Sequence, residues 1–166
     1  IDAGTLKLGA ADVIPGGTGK GDVTVASGAI FDLAGYNETI NGLNGSGTVD
    51  NVSATNVIFI VGDLHATSTF SGVIQNSSTG KLSLWKIYTG VLTLSGNNTY
   101  SGDTRVGGNL KLGASEVIPN GSGKGVVDFF SGGTLDLNGF DETVNGLTGS
   151  SGYVDNTSST SDATLT

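Results

Sequence analysis

Three carboxylates recur at a fixed interval: Asp32, Glu38 and Asp50 return as Asp136, Glu142 and Asp155. Paired carboxylates perform general acid–base and glycosidic chemistry. A catalytic set duplicated every 104 residues is unusual, and solvated strand faces and turn caps explain these acids better. No catalytic residue is assigned. His65 is the only histidine and stands without a nucleophile motif or a metal partner in sequence, so a surface position is expected. The loop Pro15 to Gly21 ends Gly19-Lys20-Gly21. A phosphate loop needs an earlier glycine where Ile14 stands and a hydroxyl where Gly21 stands. The same loop returns at Pro119 to Gly125, as a structural turn would. Neither a calcium-binding nonapeptide nor an EF-hand loop is present. No cofactor is expected; the weaker alternative is structural calcium held by turn carboxylates such as Asp50 and Asp155. Trp85 and Tyr88 remain as candidate surface contacts. In Leu82-Ser83-Leu84-Trp85 the two leucines share one face of a strand and Trp85 takes the other. An outward tryptophan stacks on sugars or anchors a protein contact, unless a neighbouring segment covers it.

The elements that position these residues are legible in composition. Gly, Ser, Thr and Asn make up 80 of 166 residues, and charged residues only 13%. Such residues are poor helix formers and good turn formers. With 36% hydrophobic residues the chain is too apolar for a disordered tail. Its net charge of −8 disfavours nucleic acid and anionic membrane surfaces. No apolar run approaches the roughly 18 residues of a membrane-spanning helix, so no membrane insertion of this segment is expected. Without cysteine there are no disulfides and no thiolate metal sites.

The dominant feature is an internal repeat. Between residues 4–43 and 108–147, 24 of 40 positions are identical, all at an offset of 104. After one inserted residue near Ser150, Val49-Asp50-Asn51 matches Val154-Asp155-Asn156. Within the repeat, short alternating segments recur, including Thr5-Leu6-Lys7-Leu8, Val91-Leu92-Thr93-Leu94 and Thr134-Leu135-Asp136-Leu137. Each reads as a strand with one buried face. Asn-Gly pairs between them supply residues suited to positive φ. No helical period intervenes. The two all-β solutions are an antiparallel sandwich and a solenoid. The solenoid is favoured because no linker divides the repeats and each rung needs only its neighbours. At about 20–25 residues per rung, seven or eight rungs are expected. One continuous unit over 1–166 is expected, with a first long repeat over 1–106 and a partial second over 107–166. Ile1 and the strand-like Ala163 to Thr166 give the expectation of a segment from something longer.

Residues 90–113 resemble the autotransporter-associated β-strand repeat, also called the passenger-associated transport repeat, of large bacterial surface proteins. The family pattern falls on Gly90, Leu92, Leu94, Gly96, Asn98, Tyr100, Gly102, Thr104, Val106, Gly108, Leu110, Leu112 and Gly113. The resemblance implies a right-handed parallel β-helix in a long exported bacterial protein. It implies little about activity, since the motif belongs to the scaffold. Trp85 to Tyr88 depart from the small residues usual there and mark specialised surface. The expected function is a non-catalytic stalk or filament outside the cell or on its surface, with an adhesive, glycan-binding segment as the alternative and a carbohydrate-active enzyme as the weaker one. Its expected partners are neighbouring repeats of the same chain or copies stacked head to tail, with glycans or host surfaces for the adhesive reading.

Overall fold

A computed structural model describes residues 1–166. Fifteen strands carry the fold. In chain order they are β1 (Thr5–Lys7), β2 (Val23–Val25), β3 (Ile30–Asp32), β4 (Glu38–Ile40), β5 (Leu43–Gly45), β6 (Thr48–Asp50), β7 (Val57–Val61) and β8 (Ser68–Phe70). They continue as β9 (Val73–Gln75), β10 (Leu82–Leu94), β11 (Thr104–Leu112), β12 (Val127–Phe129), β13 (Gly133–Asp136), β14 (Leu147–Gly149) and β15 (Gly152–Asp155). The one helical element is a 3-10 turn over Asp63–His65.

Every strand pair is parallel, and partners are separated by about one turn of chain. The protein is an all-β parallel β-solenoid. Each turn visits three strand stacks. Stack A holds β1, β3, β6 and β9. It continues less regularly where Asn98 and Thr99 pair with Ile74, and Glu142 bridges to Leu165. Stack B holds β4, β7, the first half of β10, the first half of β11, β12 and β14. Stack C holds β2, β5, β8, the second halves of β10 and β11, β13 and β15. Stack C therefore has seven levels, a body on the order of 35 Å long at about 4.8 Å per level. Turn length varies: Thr5 to Ile30 spans 25 residues, and Ile30 to Thr48 spans 18.

Alternation within each strand builds the interior. Phe31, Val49 and Ile74 stack on one another in A, and Phe59 and Leu84 in B. Phe70, Leu94 and Leu112 do so in C. All are fully buried, within one continuous cluster of 27 apolar residues. The core is thus a single filament and not two domain centres. Small residues mark where backbones close up. A Cβ at Gly96 would lie 1.7 Å from the Gly72 carbonyl oxygen, and one at Gly108 would lie 1.8 Å from that of Tyr88.

The 104-residue repeat is out of phase with the turn. β2 and β12 are equivalent in sequence, yet β2 lies in stack C and β12 in stack B. Likewise β3 lies in A while its equivalent β13 lies in C. Thr5 opens the first turn in stack A, and its equivalent Asn109 falls in stack C of the fifth. One repeat thus advances four full turns and two further stacks. The same sequence folds on a different face because each stack asks for the same things: alternating apolar residues and a small-residue corner.

Candidate site on the outer face

Alternation along β10 sends Leu82, Leu84 and Lys86 inward and Ser83, Trp85 and Ile87 outward. Trp85 is half-buried, because Arg105 from the next turn lies across it, its guanidinium carbon 4.5 Å from the indole centroid. Phe130, one turn further on, lies 4.7 Å from the same guanidinium carbon and packs beside Trp85, ring centroids 6.3 Å apart and tilted by 59°. The Arg105 Nε donates to Asp128 Oδ2 at 2.6 Å. Three consecutive turns thus assemble a cluster of two adjacent aromatic rings and one guanidinium whose charge is internally neutralised.

Beside it, Ile87 and Gly107 are register partners. The Phe130 ring occupies the space above Gly107, 2.3 Å from where a Cβ would stand. Ile87, Tyr88, Gly107, Phe130 and Ser131 line a groove of about 280 Å³. Tyr88 is 49% exposed and sits at a corner with φ 56°. A bulky residue there is conformationally unfavourable. His65 flanks it, ring centroids 5.1 Å apart. His65 Nδ1 lies 2.8 Å from the Thr89 hydroxyl and 3.3 Å from the Thr89 amide nitrogen.

Sequence reasoning passed over Lys86, although strict alternation from Leu82 and Leu84 places it inside. It is 1% exposed, with no carboxylate partner. Its ammonium donates to the carbonyl oxygens of Ile87 and of Tyr88, the latter at 3.1 Å. Burial pulls its pKa down to about 8. Lys86 therefore holds, from within, the corner that displays Tyr88 outside.

The recurring acids are turn caps, as expected, but most are not solvated. Glu38 and Glu142 are 0% and 1% exposed. Asp32, Asp50 and Asp136 are buried too, while Asp155 is exposed. The Glu38 carboxylate accepts from the amides of Val13 and Ile14, and Glu142 from those of Val117 and Ile118. Burial raises the pKa of both, that of Glu142 to about 7. One oxygen of Glu38 has no partner. The Asp50 oxygens take the Gln75 side chain and the Ser77 amide. Asp136 accepts from Asn138, Thr157 and Lys111. Burial opposes its ionisation, but these bonds outweigh it and hold its pKa below the usual range.

The glycine-rich loops are corners tied by one side chain each. Asn41 Oδ1 accepts from the Gly17 amide and its Nδ2 donates to the Lys20 carbonyl. Asn145 does the same for Gly121 and Lys124. His65 is exposed. The repeat-motif residues Gly90, Leu92, Leu94, Gly96, Asn98, Tyr100, Gly102, Thr104, Val106, Gly108, Leu110 and Leu112 are all buried, and Gly113 is half-buried.

Over 150 residues, 88% of its length, the chain is 31% identical to the adhesin BmaC autotransporter of Brucella suis biovar 1 (strain 1330). Those residues amount to 4% of that protein, so the chain spans a small fraction of this relative. No protein-family model matches the chain. No solved structure matches it.

Proposed function

We propose that this chain is a non-catalytic segment of an exported bacterial surface protein, working as a stalk outside the cell. The observation that carries this reading is the continuous coil of parallel turns, seven levels deep in stack C, with side-chain chemistry spent on tying corners. Carboxylates buried against backbone amides are committed to structure. The likeness to a segment of an autotransporter adhesin supports the same placement. The inward packing of the residues from Gly90 to Leu112 supports membership of the autotransporter-associated repeat family, as scaffold and not as site. Leu6 and Val13 on the first turn, and Leu147 and Tyr153 on the last, are exposed apolar groups. In the proposed stalk they receive a further turn of the same polypeptide or of a second copy.

The denatured mass of the native polypeptide tests the covalent form. A mass far above 16.5 kDa is expected. A mass near that value overturns the covalent stalk. Antibodies raised against the segment are expected to stain intact cells, and staining only after lysis overturns the surface placement. A second, compatible reading is adhesion, favoured by the outward aromatic groove.

A further inference from the structure

The internal repeat supplies a control for the outer face, because the same sequence occurs twice with different surface groups. At the offset of 104, Phe130 stands where the first copy has Ala26, and Gly107 stands where it has Ala3. The two departures are coupled by sterics. A Cβ at position 107 would meet the Phe130 ring at 2.3 Å. The second copy has gained an aromatic ring and lost the methyl group that would obstruct it. Both changes line the groove, opposite Tyr88, which is itself an aromatic held at positive φ. The repeat sequence itself does not demand the ring, since the first copy carries Ala26 at the equivalent position, although on a different stack.

The surroundings define what fits. Strand β10 is hydrogen-bonded to β7 and β8 on one side and β11 on the other, and β11 likewise to β10 and to β12 and β13. No backbone edge is free here, so an extended peptide cannot add as a strand. Of the charges beside it, Arg105 is spent on Asp128 and on two rings, and Lys86 on the Ile87 and Tyr88 carbonyls from within. No charged side chain lines the groove. Acidic and basic polymers therefore find no counter-charge. About 280 Å³ lies just below the range of drug-sized sites, about 300–1,000 Å³. What remains is a small uncharged ring with one apolar face and polar edges. Aromatic rings pack against the C–H face of a pyranose, while the Tyr88 and Ser131 hydroxyls meet its hydroxyls.

We infer that the groove between Tyr88 and Phe130 binds a neutral sugar residue of a glycan. This deepens the adhesive reading and does not depend on the stalk, whose failure would be read from mass and surface staining. The test uses Trp85, the only tryptophan, as an intrinsic probe beside the groove. Its fluorescence is followed during titration with neutral oligosaccharides (cellobiose, lactose, maltotetraose, chitotetraose) and with acidic ones (sialyllactose, tetragalacturonate). Saturable binding of at least one neutral saccharide is expected. Tyr88→Gly relieves the corner, and Phe130→Ala restores the residue of the first copy, so both variants keep the fold. Each is expected to weaken binding about tenfold, equivalent to about 1.4 kcal/mol. The inference is overturned if no neutral saccharide binds, if only acidic saccharides bind, or if neither variant changes affinity. It is equally overturned if sedimentation shows self-association that Tyr88→Gly abolishes, since the occupant is then a second copy.

Discussion

At Glu142 one carboxylate holds two backbone amides of the preceding turn, Val117 and Ile118, from a site with 1% exposure. The arrangement satisfies buried donors, but it desolvates a charge, and burial raises the pKa from 4.5 to about 7. The folded protein therefore holds a proton that the unfolded chain has released between about pH 4.5 and 7. The associated stability is complete below that window and is lost as pH rises through 7. Glu142→Gln keeps an acceptor for the amides without the charge. Its melting temperature is expected to exceed wild type by a few degrees at pH 8, at about 2–4 °C per kcal/mol, with the gap closing by pH 4.5. Calorimetry across this range decides it; a gap independent of pH contradicts it. Lys86 has the opposite dependence. Its pKa is lowered from 10.5 to about 8, so the unfolded chain binds the extra proton between those values and this group's contribution rises with pH across them. Lys86→Met is expected to lack that rise. It also leaves the Ile87 and Tyr88 carbonyls without their donor, a loss of about 1–3 kcal/mol at pH 7. Urea unfolding at pH 7 and pH 10 separates the two effects.

Strands here are short because the corner, not the strand, sets the turn. β10 and β11 are the exceptions: each runs across the B–C corner, with a register irregularity between Tyr88 and Val91. Close backbone approach at such corners makes certain glycines irreplaceable on steric grounds. Gly96→Ala drives a methyl group into the Gly72 carbonyl and is expected to cost at least about 3 kcal/mol. A methyl group at Gly9 would meet nothing within 4 Å, and Gly9→Ala is expected to be neutral or slightly stabilising. Denaturant midpoints of the two variants test this; equal losses would mean that backbone conformation, not contact, sets the cost. Much of this level was legible in the sequence. The alternation of Leu92 with Leu94 and of Leu110 with Leu112 gave the inward face, and the same rule carried to Lys86 would have put it inside. The burial of Glu38 and Glu142 was not legible. Their depth comes from loops about 25 residues earlier folding over them, and nothing in the local pattern specifies that packing.

For the whole molecule, stability is a sum over neighbouring turns. Central strands are paired on both sides and terminal ones on one. β1 and β14 are exposed along their length, whereas β10 and β11 alternate buried with half-buried residues along most of theirs. Hydrogen exchange is therefore expected to be slowest in β10 and β11 and to quicken towards both ends. Uniform protection would indicate a single all-or-none unit. The sequence by itself determined the alternating strands, the 104-residue repeat and the apolar interior, because alternation, small-residue corners and self-similarity are local properties; the parallel pairing was implied only by the family resemblance. Only the tertiary structure decided which face each repeat occupies. Turn lengths of 18 and 25 residues are set by pairing register, so equivalent residues land on different stacks. The outer groove was decided in the same way. Tyr88, Gly107 and Phe130 come from three successive turns, and only stacking at a common register brings them side by side.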